Sequence, residues 1–247
     1  MFSKTTLWFL FLIVGFGDTK KLQGQDERTD KYAWFDNMIG QTNSGVFKGV
    51  VYDKEFRVIN DKHQFFQDSD FIIGDVVINQ QSYLGLQLRY DVYHDQLVVD
   101  NFEVIGPSEM ILDKNKVSAF QLGKHVFEKV NALNIKGTRL SGFVEVLVST
   151  DMLILLKKHK KKILKKTEDD IVFFEFKDLQ QYFVRNDNEY YPIKKSTDLI
   201  ALFPEHKRSL KQIHDEHALL KKTDTDRYFE AIVLDFAEVL RSTSIKP

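Results

Sequence analysis

From Tyr83 to Tyr93 the side chains alternate with a period of two. Leu84, Leu86, Leu88, Tyr90 and Val92 fall on one side, and Gly85, Gln87, Arg89, Asp91 and Tyr93 on the other. Alternation of this length describes a strand with one face on a core and the other toward solvent. His94-Asp95 supplies a tight reversal and Gln96-Leu97-Val98-Val99-Asp100 runs back, so residues 83–100 read as a β-hairpin. An isolated two-stranded hairpin is marginal in water, and this one demands further strands beside it.

From Val46 onward the chain offers them. Short apolar runs predict strands at 71–78, 110–112, 117–122, 143–148, 154–158, 171–176, 182–185 and 190–193. Between them lie turn signals: Asn79-Gln80-Gln81-Ser82, Lys114-Asn115, Ser149-Thr150-Asp151 and Asn186-Asp187-Asn188. Links this short join antiparallel neighbours, because parallel pairs need a crossover of a dozen residues or more. The texture turns helical after Ile193. Ser196 suits the N-cap of a short helix through Phe203, and Pro204 ends that helix and opens another from about Glu205 to Leu220. Thr223-Asp224 then caps a last helix carrying Tyr228, Ile232, Phe236, Val239 and Leu240 along one face. With no repeat and no linker, the expectation is one α+β domain over 46–247. It is a predominantly antiparallel β-sheet meander, sandwich-like or partly closed, with C-terminal α-helices at about 196–241.

The N-terminus has a different character. Lys4 precedes an unbroken apolar run from Leu7 to Val14, closed by Gly15-Phe16-Gly17. That layout predicts a secretory signal peptide over 1–17, and the run is shorter than the roughly 20 residues a membrane-spanning helix needs. Cleavage is expected after Gly17, with Gly24 as the alternative. Residues 18–45 form a polar lead-in containing an aromatic cluster, Tyr32-Ala33-Trp34-Phe35, that reads as one or two helical turns ending at Gly40. Such a chain is expected in the periplasm, at the outer membrane or outside the cell. No later run is long and apolar enough for a membrane helix. The complete lack of cysteine excludes a thiolate nucleophile, a cysteine metal site and a lipid-bearing cysteine, and leaves a chain large enough to fold without disulfides.

Chemistry is harder to read. Gly-x-Ser-x-Gly, the phosphate-cradling Gly-x-x-x-x-Gly-Lys-Ser/Thr and His-Glu-x-x-His are all missing, so no catalytic residue, metal or cofactor is expected from motifs. A net charge of −1 implies no bulk polyelectrolyte partner. The most unusual local feature runs from Lys157 to Lys166, with seven lysines in ten residues. Lys157, Lys158, Lys160, Lys161 and Lys162 are the candidate polyanion-binding residues, for an anionic polymer such as an acidic polysaccharide or for anionic lipid. The simpler reading is a strand that leaves the core for water, its lysines discouraging edge pairing. Without interleaved aromatics or clustered arginine, nucleic acid is disfavoured. His214 and His217, three apart on a helix, would need a third ligand to hold zinc and more simply border an apolar contact. Trp34, Phe35, Phe65, Phe66, Tyr90, Tyr93, Tyr190 and Tyr191 would line a ligand groove or, more simply, fill the core.

Several stretches together resemble a group of uncharacterised exported proteins of Bacteroidota. They include Trp34-Phe35-Asp36 with Gly40, Ile59-Asn60-Asp61-Lys62-His63-Gln64-Phe65-Phe66, and Leu88-Arg89-Tyr90-Asp91-Val92-Tyr93 leading into Asp95-Gln96-Leu97-Val98. Gly142-Phe143, Leu155-Leu156-Lys157-Lys158 and Tyr190-Tyr191-Pro192-Ile193 before Phe203-Pro204 complete the set. The resemblance spans nearly the whole chain after residue 17 and implies a bacterial envelope or secreted setting. It carries no catalytic motif. The reading is therefore an exported cell-envelope or secreted protein with a binding or structural role, whose partner is an anionic polymer or an envelope protein. The alternative is a hydrolase of envelope polymers with dispersed site residues.

Overall fold

In the computed structural model, which describes residues 49–100, 108–135 and 137–244, all the strands join one sheet. They are β1 (Val50–Val51), β2 (Ile72–Ile78), β3 (Gln81–Asp91), β4 (Gln96–Asp100), β5 (Glu109–Ile111), β6 (Val117–Leu122), β7 (His125–Ile135), β8 (Thr138–Ser149), β9 (Ile154–Glu168), β10 (Ile171–Asn186) and β11 (Glu189–Ile193). The sheet order is β1-β5-β4-β3-β2-β6-β7-β8-β9-β10-β11. One meander runs outward from β2 to β5, β6 returns to the free side of β2, and a second meander continues to β11. Adjacent strands pair antiparallel, as expected for a meander with short links, and the sheet is not closed, so that a partly open, sandwich-like arrangement results. The signal peptide expected at 1–17, the lead-in expected at 18–45 and its Trp34-Phe35 cluster lie outside the described residues.

The 83–100 hairpin is present, with one change of phase and with Arg89 and Asp91, on the face expected to meet solvent, buried as well. Tyr83 is buried, Leu84 is 39% exposed, and Leu86, Leu88 and Tyr90 turn inward again. Between Gly74 and Val76 the register with β3 shifts, so Asp75 faces both Leu84 and Gly85. Gly85 takes φ +68°, and its N–H donates to Asp75 Oδ1 at 2.9 Å. A bulge of this kind adds one residue to one strand and exchanges the faces beyond it.

Strand β7 is absent from the sequence expectation. Its register shifts between Val130 and Leu133, which breaks the alternation that would have exposed it. The expected strands at 171–176 and 182–185 are one strand, β10, paired with β9 from Ile171↔Glu168 to Arg185↔Ile154. The lysine run thus lies wholly within β9. Strand β8 follows β9 only over Glu145–Ser149, and beyond Lys157 the two strands splay apart. The β3–β4 turn sits in the fork, where Asp95 accepts hydrogen bonds from Lys158 Nζ (2.8 Å) and the Phe143 N–H (3.4 Å).

Segment 57–66 laces the open side of the sheet. Phe66 N–H donates to Tyr90 O and Val92 N–H to Gln64 O on one flank; on the other, Phe174 N–H donates to Arg57 O and Phe176 N–H to Lys62 O. The strap therefore ties β3 to β10 through backbone bonds at 2.8–3.1 Å.

Two cores result. Leu88, Tyr90, Leu97, Phe120, Phe127 and Phe143 centre the first, between β2–β4 and β6–β8. The second packs helices on the C-terminal strands. These helices are α1 (Ser196–Leu202), α2 (Lys207–Glu216), α3 (Leu220–Thr223) and α4 (Thr225–Ser244), with a 3₁₀ turn at Pro204–His206. The expected apolar face of the last helix is confirmed: Tyr228, Ile232, Phe236 and Leu240 are buried against Leu153, Leu155, Tyr182 and Val184. Asp224 caps α4, its Oδ1 accepting the Arg227 N–H at 3.1 Å. Ser196 is not the cap of α1. Lys195 holds that position, Asp198 accepts the Lys194 and Lys195 N–H groups, and Ser196 is buried in the first turn. The helix expected to reach Leu220 stops at Glu216. No described helix is long and apolar enough to cross a membrane.

Candidate functional site

Between the strap, the floor of β7–β10 and the first turns of α4 lies a cleft of about 820 Å³. Asp61, His63, Phe66 and Gln67 come from the strap side, His125, Glu145, Lys157, His159 and Lys161 from the sheet, and Asp224, Asp226, Arg227 and Glu230 from the helix.

At the floor, one carboxylate holds two imidazoles. His125 Nδ1 is bonded to Glu145 Oε1, and His159 Nε2 to Glu145 Oε2 at 2.6 Å. An ionised carboxylate only accepts, so both imidazoles present an N–H to it. Nε2 of His125 then accepts from Gln67 Nε2 at 2.8 Å, which completes a chain from strap to sheet. Burial opposes ionisation of Glu145, but the His159 and His125 donors outweigh it and hold the carboxyl below its ordinary range. Phe66 makes T-shaped contacts with both rings, with centroids 5.1 Å from His125 and 4.9 Å from His159. Three strands supply these residues: β7, β8 and β9.

Beside this group stands a second. Lys157 lies directly opposite Glu145 in register but reaches Asp226 Oδ2 at 2.5 Å, while the Tyr182 hydroxyl donates to Asp226 Oδ1. Burial and then the Asp226 hydrogen bond push the Tyr182 hydroxyl well above the usual phenol range. Asp226 occupies the first turn of α4, where the helix dipole favours negative charge. Farther out, Lys161 Nζ meets Asp178 Oδ1 at 2.8 Å. Burial and then the Lys161 charge hold His63 below its ordinary value. On the helix wall, burial and the charges of Asp226, Asp224 and Glu145 push Glu230 up.

The five lysines expected to bind polyanions divide between environments. Lys157 and Lys158 are buried and paired internally, with Asp226 and Asp95 respectively. The expectation of a solvated strand fails at these two positions, because the fork and the helix wall bring carboxylates to them. Lys161 is paired with Asp178, Lys160 is half-buried and Lys162 is exposed. His214 and His217 part company: His214 Nδ1 bonds the Tyr228 hydroxyl and His217 Nε2 the Asp235 carboxylate at 2.7 Å. Among the described residues no group of three or more His, Asp or Glu side chains is arranged to hold a metal ion. Phe65, Phe66 and Tyr90 are core residues, as the simpler reading of the aromatics expects.

Sequence reasoning did not single out His125, Glu145, Asp226 or Glu230. His125 and Glu145 are 20 residues apart and Glu145 and His159 are 14 apart, without a spacing that any local motif uses. The one local signal was His159 interrupting the lysine run. No protein-family model, curated protein or solved structure matches the chain, and the functional reading rests on the geometry of the cleft.

Proposed function

We propose that the protein is an exported binding protein whose cleft holds a neutral, hydroxyl-rich ligand of the saccharide class. The observation that carries this reading is that the charged groups on the cleft floor are already partnered in place: Glu145 accepts from two imidazoles, Lys157 pairs with Asp226 and Lys161 with Asp178. A charged ligand entering such a site would have to displace a partner already in place, and a cation taking Asp226 or Asp178 would strand the buried ammonium of Lys157 or Lys161. Hydroxyl groups need break nothing, because the carboxylates retain spare lone pairs and the ammonium groups spare protons. The cleft volume falls within the range of small-ligand sites. Export is supported by Lys4 and the apolar run that follows it, and by the resemblance to exported proteins of Bacteroidota.

Two measurements test this. N-terminal mass spectrometry of the native protein should find residues 1–17 removed. Titration with neutral oligosaccharides should perturb the imidazole resonances of His63, His125 and His159 at lower concentration than matched uronic-acid oligomers do. If neutral sugars leave all three unmoved, the cleft reading is wrong.

One observation favours a second reading, a hydrolase acting on glycosidic bonds. Glu145 is held toward its ionised form and Glu230 toward its protonated form in one cleft. Environments that push two carboxyls apart in this way suit one for acid and the other for base or nucleophile work. Release of reducing sugar from a bound oligosaccharide, abolished by Glu230→Gln with binding intact, would establish it. Binding without any turnover by the wild-type protein would dismiss it.

A further inference from the structure

Side chains on β9 alternate across the sheet. Lys157, His159 and Lys161 line the cleft, so Lys160, Lys162 and Lys166 stand on the opposite face of the β9–β10 hairpin. There Lys162 lies directly opposite Lys177, Lys160 opposite Leu179 and Lys166 opposite Phe173. Lys162, Lys166 and Lys177 are exposed and Lys160 is half-buried. Among the described residues, none of these four lysines enters an ion pair. Glu175, which shares this face on β10, is already bonded to Lys62 Nζ at 3.1 Å and Asn60 Nδ2 at 2.9 Å.

The contrast between the two faces is informative. On the cleft side the hairpin sets Asp178 opposite Lys161, the stabilising arrangement for cross-strand charges. One residue along, it sets Lys177 opposite Lys162, and like charges directly opposite destabilise a sheet. The strand rise places Lys160 and Lys162 about 7 Å apart and Lys166 about 13 Å farther on. The result is a row of cations on one face, none of them in an ion pair among the described residues and the one neighbouring carboxylate, Glu175 beside Lys166, already bonded to Lys62, on a protein whose net charge is −1.

We propose that this outer face of the hairpin, formed by Lys160, Lys162, Lys166 and Lys177, binds an extended acidic polysaccharide bearing carboxylate or sulfate groups at intervals. A linear row suits a polymer lying along the strand. An anionic membrane fits less well, because Glu168, Asp169 and Asp170 form the hairpin tip and would be driven toward its surface charge. Nucleic acid is disfavoured because no arginine lies in the row and Phe173, the aromatic opposite Lys166, is buried, leaving no ring for base stacking. The site is separate from the cleft, and its test does not depend on the cleft ligand.

The experiment uses the full chain on immobilised heparin and on an immobilised polyuronate, at low ionic strength. Wild-type protein should be retained on both and released by salt, as expected for screened contacts. The quadruple variant Lys160→Gln, Lys162→Gln, Lys166→Gln and Lys177→Gln should bind roughly tenfold or more weakly. A control with the same change of charge on exposed helical positions, Lys207→Gln, Lys211→Gln, Lys221→Gln and Lys222→Gln, should be retained like the wild type. Lys177→Glu gives a readout that a purely structural row would not: the melting temperature rises as Lys162 gains a partner, while retention falls. Wild-type protein in the flow-through at low salt overturns the proposal, as does an equal loss in the helical control. Tighter lysine-dependent binding to anionic phospholipid vesicles or to single-stranded DNA than to either polysaccharide also overturns it, and assigns the face to that ligand instead.

Discussion

Lys158 Nζ donates to Asp95 Oδ1 at 2.8 Å and to Phe143 O at 2.9 Å, and so joins the C-terminal hairpin to the β3–β4 turn from inside the fork between β8 and β9. Asp95 also accepts from the Tyr90 hydroxyl at 2.6 Å and pairs with Lys114. Both partners are largely buried, with Lys158 7% and Asp95 17% exposed at the side chain. Removing one member of such a pair strands the other charge. Lys158→Met should therefore cost about 3 kcal/mol in urea denaturation. The double variant Lys158→Met with Asp95→Asn should recover part of that loss. A double variant no more stable than the single would show that the carboxylate is not the source of the cost.

The same turn makes Gly142 irreplaceable. It adopts φ +79°, and a Cβ there would lie 1.7 Å from Asp95 Oδ2 and 2.9 Å from Lys114 Nζ. Gly142→Ala combines a disfavoured backbone conformation with displacement of a buried carboxylate, and should cost about 2 kcal/mol or more. Gly123 also has a positive φ of +56° but has nothing within 4 Å. Gly123→Ala should cost less, by the same denaturation measurement.

Stability should fall in acid through two identified groups. Burial works against ionising Asp95, but Lys158, Lys114 and Tyr90 outweigh it and lower its pKa from the ordinary 3.8; Glu145 is likewise lowered from 4.5. A carboxyl with a depressed folded-state value binds fewer protons folded than unfolded. Its contribution is complete above the ordinary value and is lost as pH drops through the depressed one. Urea midpoints should therefore decline from about pH 4.5 downward, and Asp95→Asn should decline less steeply than the wild type over that range.

Glu230 has the opposite sign. Its raised pKa means that ionisation costs more in the folded protein than in the unfolded chain. Glu230→Gln should raise the melting temperature near neutral pH, with the gain shrinking in acid, where the wild-type carboxyl is protonated in both states. A gain that does not vary with pH would assign the effect to packing instead.

Phe236 is fully buried in the helical core, with Phe203 at a ring distance of 5.0 Å. Phe236→Ala should cost about 3–5 kcal/mol in the same assay.

Local pattern made much of the architecture legible. The 83–100 hairpin with its His94-Asp95 reversal, the 117–122 strand and the apolar stripe of α4 all appear where the residues imply, because each burial signal repeats within a few positions. It failed where the backbone changes phase. The bulge at Asp75 exposes Leu84, and the shift between Val130 and Leu133 conceals β7. The lysine run was visible as composition, but its division into buried, paired and exposed cations was not, because that depends on which strand edge or helix lies across from each residue.

The chain by itself determined that strands would follow one another antiparallel and that helices would cover the C-terminal end, since hydrophobic period and turn chemistry are local properties. Only the tertiary structure decided that His125, Glu145 and His159 meet, that Asp226 reaches Lys157, and that Lys162 faces Lys177 instead of a carboxylate. Those relationships are set by sheet register and by the fork between β8 and β9, which bring together side chains whose separation along the chain carries no periodic signal.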